Sequence, residues 1–257
     1  MISSGRTDVG KRRDDNQDNI FVSDGPVGTL PNLYIVADGM GGHAAGDFAS
    51  RYAIQKVVEF VKNSTVKNPI SLLRRALISA NDEVYQEAKK DVTKGGMGTT
   101  MVVCVVDGSR LICGNIGDSR LYLIKGETPE KEAMAGANHE EDNNEIVQIT
   151  MDHSLVEELI RTGQLDRNKG RNHPEKNIIT RAMGSRDEAV PDFFEVTVSP
   201  GDRILLCSDG LSNMVENDEI RDIIREHEDL TEAVNALIDR ANYYGGNDNI
   251  SAVVVGV

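Results

Sequence analysis

Helix-forming stretches in this chain come in adjacent pairs, set between blocks of short apolar runs, and this order limits the fold more than any other feature. In the stretch from Gly46 to Lys62, Ala49, Ala53, Val57, Phe60 and Val61 recur at helical spacing and line one face. Asn68 then Pro69 reads as a cap and a first helical position. Leu73, Ala76, Leu77, Ala80 and Val84 form the stripe that follows. Near the C-terminal end, Asp229 and Glu232 make a capping-box pattern, and Ala233, Leu237, Ile238 and Ala241 supply an apolar face. Gly245-Gly246 stops that helix.

The strand candidates are Ile20–Val22, Leu33–Ala37, Thr99–Val106, Arg110–Asn115, Arg120–Ile124, Ile146–Thr150, Asn177–Arg181, Phe193–Val198, Arg203–Cys207 and Ile250–Val255. Asp107-Gly108 marks a hairpin turn, and a second tight reversal falls at Gly117-Asp118-Ser119. In chain order this gives strands, two long helices, a block of hairpin strands, a helix-containing insert, then strand, helix, helix, strand. Paired helices argue against a doubly wound parallel sheet. They predict an α+β fold in four α/β/β/α layers, with two antiparallel sheets flanked by helix pairs. With 257 residues, no internal repeat and no long linker, residues 1–257 are expected to form a single domain. The segment Gly126–Glu145 has no periodicity and reads as a surface loop of about residues 126–145.

Four aspartates share one context. Asp38 follows Tyr34-Ile35-Val36-Ala37 and precedes Gly39; Asp209 follows Ile204-Leu205-Leu206-Cys207-Ser208 and precedes Gly210. Asp248 stands just before the last strand, and Asp118 lies in the reversal before Ser119-Arg120. A single Asp-Gly at a strand end is ordinarily a turn. Four of them, with Asp18 behind a polar run, would repel one another unless a cation neutralised them. Carboxylate oxygens suit Mg²⁺, Mn²⁺ or Ca²⁺ rather than zinc, and the five histidines show no zinc-ligand spacing. Glycines such as Gly39, Gly41 and Gly42 let backbone approach a metal or phosphate closely. A plain Ca²⁺-binding module is excluded, because no EF-hand spacing occurs.

The run Asp38-Gly39-Met40-Gly41-Gly42-His43, with Gly46-Asp47 beyond it, resembles the metal motif of bacterial type 2C metal-dependent Ser/Thr protein phosphatases, the PPM family. Other blocks of that family follow in order. Arg13-Asp14-Asp15-Asn16-Gln17-Asp18 resembles its N-terminal arginine–acid motif, and Gly98-Thr99-Thr100 a strand start. Gly117-Asp118-Ser119-Arg120, Asn177–Gly184, Ser208-Asp209-Gly210-Leu211 and Asp248-Asn249-Ile250-Ser251 resemble the rest. The similarity spans nearly the whole chain.

The resemblance implies a β-sandwich between helix pairs and an activity, hydrolysis of phosphoserine and phosphothreonine in proteins. It implies two core Mn²⁺ or Mg²⁺ ions and a possible third. Asp38 would bridge the core pair with the Gly39 carbonyl on one ion, and Asp209 and Asp248 would be direct ligands. Asp18 would act through metal-bound water, and Asp118 with Asp209 would hold the third ion. Two ions roughly 3.5–4 Å apart can share a hydroxide that attacks phosphorus in line, so no phosphoenzyme is required. Arg13 would clamp the phosphate, since its planar fork matches the oxygens. Eukaryotic members carry a histidine where Met40 stands, and His43 is not its equivalent, which leaves leaving-group protonation to water. Asp152–Pro174 matches the family's flap by position and could lend a ligand such as Asp166.

The partners implied are phosphorylated proteins, themselves substrates of a Ser/Thr kinase. The net charge of −14 and the lack of a basic stretch with interleaved aromatics argue against nucleic acid. No apolar run approaches the ~18 residues of a membrane span, and Met1–Gly5 has no signal-peptide apolar core. Cys104, Cys113 and Cys207 sit in apolar stretches without a Cys-x-x-Cys pair, as reduced buried thiols of a cytoplasmic protein would. A monomer is expected. The alternatives are a phosphatase-fold protein that binds or regulates with little catalysis, and a small-molecule phosphomonoesterase.

Overall fold

In a computed structural model of the chain, residues 1–42, 45–91, 94–126, 145–171 and 173–257 are described. Most of the segment read as a loop, residues 127–144, and His43 lie outside them. The strands are β1 (Ile2–Asp8), β2 (Asp18–Ser23), β3 (Leu33–Met40), β4 (Gly98–Thr99), β5 (Met101–Asp107), β6 (Arg110–Ile116), β7 (Arg120–Ile124), β8 (Ile146–Gln148), β9 (Asp192–Thr197), β10 (Arg203–Cys207) and β11 (Ile250–Gly256). The helices are α1 (Ala45–Asn63), α2 (Pro69–Lys90), α3 (Leu155–Arg161), α4 (Arg167–Gly170), α5 (Asp209–Ser212), α6 (Asn217–Glu226) and α7 (Leu230–Tyr243).

One sheet runs β1-β11-β10-β7-β8 and the other β2-β3-β5-β6-β9, with β4 paired to β3. The ladders among these strands are antiparallel. The apolar runs look continuous because the central strands are covered on both faces. In β3, Tyr34 and Val36 enter the core between the sheets, whereas Leu33, Ile35 and Ala37 face α1 and α2. In β11, Val253 and Val255 lie between the sheets, and Ile250, Ala252 and Val254 face α6 and α7. Fully burying one such aliphatic side chain is worth ~1.5–3 kcal/mol. The α+β reading with antiparallel sheets between helix pairs holds.

The caps behave as the sequence implies. Asn68 accepts from the Ser71 N–H at 2.9 Å with Pro69 opening α2, and Asp229 accepts from the Thr231 and Glu232 N–H groups. Gly108, at φ +62°, turns the β5–β6 hairpin, closed by the Asp107–Arg110 pair.

Three expectations change. Asn177–Arg181 forms no strand: Ile179 makes a single bridge with Ser154, because a turn at 173–178 feeds it and nothing continues the ladder. The reversal at Gly117–Ser119 is not a hairpin but a crossover, since β6 and β7 belong to different sheets. The edge strand β1 had no apolar alternation to reveal it: none of its residues is fully buried, and its register comes from pairing with β11.

Candidate active site

Strand ends decide where the carboxylates go. β3 leaves the core at Ala37, so Asp38 and Gly39 occupy its exit, and β2 begins at Asp18, the register partner of Asp38. In the other sheet β10 stops at Cys207, Ser208 caps α5, and Asp209 is the first residue of that helix. Asp248 precedes β11 by two residues, and Asp118 rides the crossover between the sheets. The aspartates therefore collect where the ends of both sheets meet.

Arg13, Asp38, Gly39, Asp118, Asp209 and Asp248 line one cleft of ≈ 290 Å³. Asp18 does not reach its surface and is 3% exposed. Met40 also lines the cleft, and a thioether offers no proton there. Arg13, with 53% of its side chain exposed, reaches Asp248 Oδ2 through Nη2 at 2.8 Å. At Gly39 a Cβ would fall 2.0 Å from the Gly46 carbonyl oxygen and 2.6 Å from that of Gln17, so only glycine allows this approach. Asp166 is not part of the cleft. It is an exposed cap of α4, its Oδ1 accepting from the Asn168 N–H at 2.9 Å.

Several residues that the sequence offered only as motif members fix this geometry. The Thr100 hydroxyl accepts from the Asp38 N–H at 3.0 Å, and the Thr99 hydroxyl donates to the Asp38 carbonyl at 2.9 Å. Ser208 Oγ donates to Asp18 Oδ2 at 2.7 Å and accepts from the Ser251 N–H at 2.9 Å. Asn249 accepts from the Gln17 N–H and donates to the Val9 and Asp15 carbonyls, tying the Arg13 loop to β11. Arg120 grips Asp152 with three contacts of 2.7–3.0 Å. For Ser208 and Asn249 the signal was a short polar side chain beside an aspartate; which group each would meet depends on strand register.

The electrostatics are those of crowded acids. Burial, then the charges of Asp18, Asp209, Asp118 and Asp248, hold the Asp38 carboxyl well above the ordinary carboxylate range. Burial pushes Asp18 up to about 7 despite hydrogen bonds from Ser208 and Ser251. Asp209 is pushed up to about 6 by burial and by Asp248, with Arg120, Asp38 and Lys176 working the other way. Asp118 is also raised well above the usual range, by burial and then by Asp209 and Asp152.

This donor set fits a hard divalent cation. Asp18 Oδ1 and Asp209 Oδ1 are buried without a hydrogen-bond partner, and such a group costs ~1–3 kcal/mol. Among the described residues no three His, Cys, Asp or Glu side chains could hold one ion by themselves.

The chain matches the family model described as Protein phosphatase 2C over residues 9–250. It is 38% identical, over 259 residues, to the serine/threonine phosphatase stp of Listeria welshimeri, covering 99% of this chain and 95% of that protein. The fold superposes on the serine/threonine phosphatase PstP/Ppp of Mycobacterium tuberculosis with a TM-score of 0.84 at 30% identity, covering 100% of this chain and 98% of the other. The catalytic domain of the serine/threonine protein phosphatase PstP, solved with two manganese ions, gives a TM-score of 0.80 at 29% identity, covering 98% and 96%.

Proposed function

This chain belongs to the protein phosphatase 2C family, and on that premise we propose how its carboxylate-lined cleft removes phosphate from protein substrates. It is a metal-dependent serine/threonine protein phosphatase. The reading of the site rests above all on one observation: the acids converge on one cleft while Asp18 Oδ1 and Asp209 Oδ1 stay buried and unpartnered.

Asp38, Asp209 and Asp248, with the Gly39 carbonyl, would hold the core Mn²⁺ or Mg²⁺ ions, and Asp118 with Asp209 a third. Such ions, when bound, make water nucleophilic near neutral pH and offset the charge of the phosphate. Asp18, held by Ser208 beneath the cleft, would act on a bound ion only through water. Arg13 binds the phosphate oxygens, its guanidinium already braced by Asp248 at the cleft edge. In this proposal water rather than a side chain attacks phosphorus, and Cys104, Cys113 and Cys207 are buried away from the cleft lining. With Met40 on the cleft wall, the departing serine or threonine oxygen takes its proton from water.

Residues 1–257 act as one catalytic domain in this proposal, with residues 152–174 as its flap. The substrates are phosphoproteins made by a Ser/Thr kinase. The buried free thiols suit a cytoplasmic protein. Among the described residues no helix is long and apolar enough to cross a membrane.

The test is phosphate release from a phosphothreonine peptide with Mn²⁺, with EDTA, and for Asp38→Ala with Mn²⁺. Turnover that needs the metal and is lost in the variant supports the site. Turnover that survives Asp38→Ala would move the chemistry elsewhere. A wild type inactive with Mn²⁺ and Mg²⁺ on both phosphoserine and phosphothreonine peptides would favour a binding role.

A further inference from the structure

Asp118 sits on a turn held from outside. Gly117 has φ +108°, and a Cβ there would fall 2.5 Å from Thr100 Cβ, so the crossover is pressed against the chain entering β5. On its other side lies His153, 4% exposed and two residues before α3. The His153 backbone N–H donates to the Gly117 carbonyl at 2.9 Å. Its Nδ1 accepts from the Gly117 N–H at 3.1 Å. One residue thus satisfies both backbone groups of Gly117, with Asn115 Nδ2 adding a second donor to the carbonyl at 3.2 Å.

The partners fix the tautomer. A backbone N–H can only donate, so Nδ1 must present a lone pair and the ring proton must sit on Nε2. Nε2 lies 2.9 Å from Asp192 Oδ2, an acceptor at the first residue of β9. Arg181 Nη1, 3.3 Å from Nε2, is itself a donor and pairs instead with Asp192 Oδ1 at 3.3 Å. Burial holds the imidazole below its ordinary value, against the pull of Asp192, which favours the neutral form this arrangement needs.

We infer that His153 is a positioning residue: as the Nε2–H tautomer set by Asp192, it holds the Gly117–Asp118 turn so that Asp118 stays on the cleft wall. The link to catalysis rests on the proposed reading of that cleft. A buried histidine that merely fills space would be indifferent to which ring nitrogen carries the proton. A histidine that holds the turn would not be.

Asparagine can place an acceptor where Nδ1 stands; glutamine is nearer in volume but extends towards Nε2. The test therefore compares H153N with H153Q. It combines amide exchange at Gly117, kcat and KM on a phosphothreonine peptide across a Mg²⁺ titration, and ring ¹⁵N shifts of His153 in the unmodified protein. The expected ring signature is a bare Nδ1 and a protonated Nε2, with and without Mg²⁺. Gly117 exchange should stay slow in H153N and rise about ten-fold or more in H153Q. H153N should lose about three-fold in kcat and H153Q roughly thirty-fold, with KM nearly constant, because the loss is one of positioning. A protonated Nδ1, or equal Gly117 exchange and equal kcat in the two variants, would overturn the inference. If neither variant folds, the ring signature decides. A wild type inactive on phosphopeptides would sink the link to catalysis, while the tautomer and the Gly117 exchange still decide whether His153 holds the turn.

Discussion

The middle of the sandwich and its end are built from the same strands by opposite rules. Between the sheets, Tyr34, Val36, Val102, Leu111, Leu206 and Val253 exclude water and bury no charge. A few residues along, where the same strands stop, Asp18, Asp38, Asp118 and Asp209 crowd together at a cost in repulsion and lost hydration. The interior stabilises the fold with no demand on function. The end is destabilising by itself and holds together because the interior fixes its backbone.

The sharpest way to break this contrast is Asp38→Asn. Turnover should fall by on the order of a hundred-fold or more, the scale of losing a central electrostatic group. Yet the metal-free protein should melt at a higher temperature, because a buried acid crowded by its neighbours and held above its ordinary range is gone. A lower metal-free Tm would mean that Asp38 supports the fold. Leu111→Ala should do the reverse. It costs about 2–5 kcal/mol in denaturant unfolding, with KM of the surviving folded protein unchanged. Ser208→Ala lies between the two regions: the expected loss is about ten- to a hundred-fold in metal affinity or activity, read from Mn²⁺ titrations.

A pH series sharpens the contrast further. The folded values of Asp18 and Asp209, about 7 and about 6, stand above the unfolded carboxylate range. The folded, metal-free protein therefore binds more protons than the unfolded chain between about pH 4 and 7, and their contribution to stability is lost as pH rises through that window. Denaturant midpoints of the EDTA-treated protein should fall from pH 5 to pH 8, and added Mg²⁺ should restore the loss at pH 8. Asn68→Ala has the smallest expected effect. It removes the α2 cap for about 1 kcal/mol, and turnover should not change.

How much could be read in advance follows the same division. The interior announced itself through unbroken apolar runs and helical stripes: Leu33–Ala37, Arg203–Cys207 and the α2 face from Leu73 to Val84 all lie where their apolar pattern requires. At the end, the sequence pointed to Asp38, Asp118, Asp209 and Asp248 but could not supply the register that sets Asp18 opposite Asp38 or brings Ser208 against Asp18. His153 was out of reach, because its partners Gly117, Arg181 and Asp192 lie 36, 28 and 39 residues away. The sequence shows a tight reversal at Gly117–Ser119 but not that it is a crossover, because such a turn looks the same whether its strands pair with each other or with others.

That crossover couples alignment to reactivity. Asp38 lies on a strand of one sheet and Asp209 just beyond β10 of the other, with Asp118 on the chain that joins them. A slide of one sheet along the other by a single residue, about 3.3 Å, would keep the facing surfaces apolar but would separate the acids. The cleft therefore works as a vernier for the sandwich: a compact but misaligned chain would keep its apolar layers and remain inert to substrate.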